Sequence, residues 1–144
     1  MAITADRNDY CRAYRKHYQA YKCLYTNNDC SISRRLLLVY CVECGLKYQL
    51  MSKWRLNNTQ TIQNEEYKDT LKSHRLEDML KALGQAGTFR FPKSVRTAHG
   101  DVINDKNFHE MCRYGIKGSC KSHDDESKFV AELEKIAKWL EEGM

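Results

Sequence analysis

The sequence predicts an all-α fold, a bundle of four to five helices with a long loop between the third and fourth, on three observations. Apolar residues recur at intervals of three and four in several separate windows. No segment alternates with period two for long, which is the pattern a half-buried strand would need. The chain also lacks repeats, low-complexity tracts and Pro/Gly-rich linkers, and its single proline is Pro92. At 144 residues, with 42% hydrophobic and 30% charged positions, it suits one folded domain over residues 1–144 rather than a disordered chain.

The first helix is expected from about Asp9 to Tyr25, with Tyr10, Tyr14, His17, Tyr21, Leu24 and Tyr25 on one face. Arg12, Arg15, Lys16, Gln19 and Lys22 occupy the opposite face, and "TNNDCS" breaks the helix because Asn and Asp favour turns. A second helix starts near Ser31 or Ser33, either able to cap it, and runs to about Trp54. It contains the most apolar stretch of the chain, "LLLVYCVECGLKYQLM", and is apolar around most of its circumference, the mark of a central buried helix. Glu43 and Lys47 form its one polar strip, four apart in the favourable order, and Gly45 leaves room for a neighbouring helix.

After a polar loop, "EEYKDTLKSHRLEDMLKALG" reads as a third helical region. Ser73 is a candidate cap that would divide it; Leu76, Met79, Leu80 and Leu83 form an apolar face, and Gly84 ends it at a C′ position. From Gly84 to about Asn104 there is no helical periodicity, and a loop of that length in a compact domain is often functional or mobile. A short helix through "DKNFHEMCRY", a glycine-broken "GIKGSCKSH" and a last helix from about Asp124 to Glu142 complete the chain. Acids at the start of the last helix suit the positive end of its dipole.

The apolar run is too short and too polar for a bilayer span, which needs about 20 apolar residues. No secretory signal is visible at the N-terminus, so a cytoplasmic protein without membrane contact is expected. Seven cysteines cannot all pair within one molecule, and cytosolic thiols normally stay reduced. Cys41 and Cys44 form a CxxC without a second pair, in mid-helix and away from any helix N-terminus. Core packing is therefore expected for them, rather than a metal or redox role, and no cofactor is implied. Residues 1–56 carry a net charge of +6, residues 57–98 of +2 and residues 99–144 of −3. Such asymmetry can steer RNA to one side or set the polarity of self-association.

Three short motifs carry a family resemblance: Leu46-Lys47 within the second helix, His74 with Leu76 and Leu80, and Arg113-Tyr114. With the tyrosine-rich first helix they make most of the chain resemble the HEPN superfamily. The resemblance implies a dimerising helical bundle, working in RNA cleavage, toxin–antitoxin pairs, anti-phage defence or nucleotide-linked regulation. It also implies a partner from the same operon, such as a nucleotidyltransferase, an ATPase or another effector. Active HEPN ribonucleases carry a late Arg-x(4–6)-His; here Arg113 is followed by His123, which is too distant. The one Arg-x4-His is Arg12 to His17, on the first helix.

The candidate catalytic residues are accordingly Arg113, His74, His109, Arg12 and His17, histidine for proton transfer and arginine for phosphate. Candidate binding residues are Tyr114, the loop cations Arg90, Lys93 and Arg96, and Arg15 and Lys16 of the first helix. A lone carboxylate on an apolar helix needs a partner, and Arg113 is the expected one for Glu43. The tyrosines of the first helix are expected to pack; beyond packing, meeting a second copy suits them better than stacking on bases, since the cations lie on the other face. The leading expectation is a binding or regulatory subunit of a prokaryotic defence or toxin–antitoxin system with weak or no catalysis; the alternatives are a metal-independent endoribonuclease with a non-standard site, and an adaptor that grips a protein through the 84–104 loop.

Overall fold

A computed structural model describes residues 5–24, 31–59 and 62–144 and shows an all-α helical bundle. Among the described residues there are six α-helices: α1 (Arg7–Leu24), α2 (Ser31–Lys53), α3 (Glu65–Lys72), α4 (Leu76–Ala82), α5 (Phe108–Arg113) and α6 (His123–Glu142). A 3₁₀ turn, Cys120–Ser122, leads into α6. The expected count of four to five is one short, because Ser73 does divide the third region in two. It does so as the last residue of α3's cap, while the α4 N-cap position falls to Arg75. The orphan amide of Glu77 is instead satisfied by Asp105 Oδ2 at 2.9 Å, a buried carboxylate from far along the chain.

α1 begins two residues before its expected start because Asp6 and Asp9 cap each other reciprocally, each carboxylate accepting the other's backbone N–H. Tyr25 and the "TNNDC" turn lie outside the described residues. α2 is the spine, in contact with α1, α4, α5 and α6. Leu38, Cys41, Val42, Leu46, Leu50 and Met51 are fully buried along it. Gly45 is where the helices come closest: a Cβ there would stand 2.6 Å from Leu140 Cδ1 and 2.9 Å from the Tyr14 ring. Tyr14 and Tyr21 are buried within this one chain, donating their hydroxyls to the Ala137 carbonyl (2.6 Å) and Glu134 Oε1 (2.5 Å). The tyrosine stripe thus closes α1 onto α6.

Residues 83–107 contain no helix, and they follow the fourth helix rather than the third. Phe89, Phe91, Val95 and Ile103 are buried and anchor the segment, with Phe91 stacked on Phe129 of α6 at 4.5 Å between ring centroids. A tight turn at 96–102 is closed by Ile103 N–H to Val95 O (2.9 Å) and Thr97 N–H to Asp101 O (2.9 Å), with Gly100 at φ +90°. Phe108 of α5 also stacks on Phe129, at 4.4 Å. That stack fixes α5 against the bundle and places the side chains at its polar end. No helix among the described residues is long and apolar enough to cross a membrane.

Candidate functional site

The polar strip of α2 is the base of the site. Tyr40 and Glu43 lie three apart and Lys47 four further on, so all three share one face of the helix. Glu43 divides its two oxygens: Oε1 accepts from His74 Nδ1 at 2.9 Å, and Oε2 faces Lys47 Nζ at 3.8 Å. Because an ionised carboxylate can only accept, the His74 proton sits on Nδ1 and Nε2 is left for chemistry. His74 occupies the link between α3 and α4 and is 61% exposed, so that second nitrogen belongs to an accessible ring.

From α5 come His109 and Arg113, one turn apart. The rings of His74 and His109 are 6.0 Å apart, tilted by 47°. His109 is only 15% exposed. Burial, and then the neighbouring Arg113 guanidinium, lower its pKa below the ordinary histidine value, so it is held neutral. Arg113 Nη2 donates to the Tyr40 hydroxyl at 3.0 Å, and Tyr114, the next residue in the chain, adds to the Tyr40 bond in raising the guanidinium pKa. His17 of α1 reaches this face as well, its ring 6.1 Å from that of Tyr40; burial lowers its pKa too.

Four of the five candidate catalytic residues, His17, His74, His109 and Arg113, therefore gather around Tyr40 and Glu43. Arg12 does not. It is exposed and paired with Asp9 of its own helix. Residues five apart on a helix are rotated by about 140°, so an Arg-x4-His on α1 cannot present both side chains to one ligand. The expected Glu43–Arg113 ion pair is also corrected: Glu43 pairs with His74 and Lys47, and Arg113 bonds to the hydroxyl one turn earlier on α2. Tyr40 was not among the sequence candidates, although its place three residues before Glu43 on the polar strip is the signal that finds it.

The candidate binding residues are spread over different surfaces. Tyr114 adjoins the site and is 67% exposed. Arg15 and Lys16 are exposed on α1, next to His17 in the chain. Arg90 and Lys93 line a separate cavity of about 600 Å³ beside α4, together with Glu77, Asp78 and Lys81. Arg96 is exposed and is not among the residues lining that cavity; its carbonyl accepts from Ser119 N–H at 2.8 Å.

Cys41 is buried and Cys44 half-buried, both as free thiols. Burial raises both thiol pKa values, that of Cys44 to about 11, which disfavours the reactive thiolate. Among the described residues no group of three or more His, Cys, Asp or Glu side chains is placed to hold a metal ion. Cys30 lies outside the described residues.

This arrangement can do two things chemically. The guanidinium, with its donors facing an open surface, can pair a phosphate. A neutral imidazole and a carboxylate-backed imidazole beside it can accept and deliver protons. Compared with family models, with curated proteins and with solved structures, the chain gives no match.

Proposed function

We propose that this chain is a HEPN-like component of a prokaryotic defence or toxin–antitoxin system that binds RNA at the α2–α5 face and cleaves it without a metal ion. One observation carries the reading: two imidazoles 6.0 Å apart, one held neutral and one backed by a carboxylate, stand beside an exposed guanidinium. Arg113 pairs the non-bridging oxygens of the scissile phosphate. His109 accepts the proton of the adjacent 2′-hydroxyl as its oxygen bonds to phosphorus. The bond from phosphorus to O5′ breaks, and His74, entering the step protonated at Nε2 with its Nδ1 proton on Glu43, gives the Nε2 proton to the departing O5′. The products are a 2′,3′-cyclic phosphate and a 5′-hydroxyl end.

A second reading keeps the RNA and removes the chemistry. Arg113 is already bonded to Tyr40, and the late Arg-x(4–6)-His of active relatives is absent, which favours a binding or regulatory subunit. Incubation with RNA in EDTA separates the two. Under the catalytic reading His109→Gln lowers cleavage about 10²–10⁴-fold with RNA affinity retained, whereas Arg113→Ala lowers both. RNA bound but never cut leaves only the binding subunit. Cleavage that persists in His74→Gln, His109→Gln and Arg113→Ala alike removes this site from the chemistry.

A further inference from the structure

Of the three large apolar side chains that are exposed among the described residues, Ile32 lies apart on α2 and the other two fall together. Val102 is 47% exposed and Tyr114 67%, and both line one open cleft of about 340 Å³, within the range of small-molecule sites. The cleft is formed by the 96–102 turn on one side and α5 on the other. Its polar walls are Thr97, Asp101, Asn107 and Glu110. Two features connect it to the site above. Tyr114 lines the cleft and directly follows Arg113 at the end of α5. Glu110, one of the two carboxylates in its wall, stands 4.0 Å from His109 Nε2.

We propose that this cleft is a base-recognition subsite, taking the nucleobase next to the phosphate held at Arg113 and preferring guanine. The inference rests on the RNA reading above. An exposed aromatic ring beside a phosphate-pairing guanidinium offers the stacking platform that single-stranded RNA uses. The charge of the walls selects the base. Asp101 and Glu110 are acceptor-only carboxylates, and Thr97 Oγ1 is already occupied by the His99 and Asp101 amides. Asn107 is partly committed: one Nδ2 proton goes to Val102 O and its Oδ1 accepts from Asn104 N–H, which leaves one amide proton. The capacity of the cleft is therefore weighted toward accepting hydrogen bonds, with two carboxylates against one side-chain amide proton. Guanine places N1–H and N2–H₂ side by side, two donors that a single carboxylate can take together. Uracil instead presents a carbonyl on each side of its one N–H, and those oxygens are repelled.

The test uses RNA hexamers that differ at one position, G, A, C or U, with affinity and cleavage measured in EDTA, and guanosine and uridine monophosphates titrated by calorimetry. Wild-type protein favours the G hexamer over the U hexamer by about tenfold or more. Glu110→Gln brings that ratio close to one whatever it does to the absolute rate, and Tyr114→Ala weakens all four hexamers alike by about tenfold. RNA bound or cut without base preference overturns the subsite and leaves the RNA reading standing. Guanosine monophosphate bound in a Glu110-dependent way, with no interaction with RNA, supports the cleft and overturns the RNA reading. Failure to bind either ligand overturns both.

Discussion

Replacing Glu43 with glutamine keeps the shape of the side chain and removes its charge, so it isolates what the carboxylate does for its neighbours. The Lys47 side chain is 9% exposed, and its ammonium has Glu43 Oε2 at 3.8 Å and the face of Tyr10 at 5.7 Å. Without the carboxylate, the ammonium stays in an apolar helix packing with only the ring to oppose its charge. Breaking a fully buried pair by removing one partner costs about 3–5 kcal/mol. Glu43 is 20% exposed, and the ring retains about 0.5–1 kcal/mol of attraction, so about 2–3 kcal/mol is expected here. In a chain of this size that lowers Tm by about 5–10 °C.

Lys47→Met in the same background removes the stranded charge and fills the same space. The double variant should then be more stable than Glu43→Gln alone, with a coupling of about 1–2 kcal/mol. Urea unfolding followed by far-UV circular dichroism measures all three. If Glu43→Gln stays within about 0.5 kcal/mol of wild type, or if Lys47→Met recovers nothing, the ion pair does not hold the helix as argued.

The remaining predictions concern packing, thiol reactivity and pH. Gly45→Ala gains about 1 kcal/mol of helix propensity but drives a methyl into Leu140 and into a Tyr14 ring held by its hydroxyl bond to Ala137; overpacking of about 1–3 kcal/mol makes the variant less stable by denaturant titration, while Gly87→Ala, with nothing within 4 Å, stays near neutral. In native protein a thiol reagent should label the exposed Cys23 and Cys120 first, and reach Cys41, Cys44 and Cys112 only on unfolding, since burial raises all three and puts Cys112 at about 12. His109 is held neutral, so its contribution to stability is complete above the ordinary histidine pKa of about 6.5 and is lost as pH falls; His109→Gln flattens that acid-side decline in Tm. For the same reason the acid limb of the cleavage rate should fall below about pH 6.5 in wild type.

Helix periodicity alone located α1, α2 and α6 to within two residues, because each buries a continuous apolar face that no other conformation would hide. Gly84 was legible as the end of α4, since φ +75° at that position favours glycine. What the sequence hid was always a partner far along the chain. The α4 cap comes from Asp105, and α5 is set by the Phe91–Phe129–Phe108 stack. The site was half legible for the same reason. His74, His109 and Arg113 drew notice as residue types, but their meeting depends on where α5 docks on α2. Arg12, chosen for its spacing to His17, failed because helical geometry separates residues five apart.

Glu43 gives the fold and the site a shared residue, and this allows them to be told apart. One of its oxygens faces Lys47 in the core packing, and the other holds the Nδ1 proton of His74 at the surface. A variant that lost activity through instability would regain it once stability returned. The Glu43→Gln, Lys47→Met pair restores the packing but still leaves His74 facing a neutral amide, which can donate as well as accept and so does not fix its tautomer. Cleavage by the double variant should therefore remain low at a temperature where circular dichroism shows it folded, while Lys47→Met alone, which keeps the Glu43–His74 bond, stays active. Activity returning in step with stability would mean that Glu43 serves the helix only and that His74 works without it.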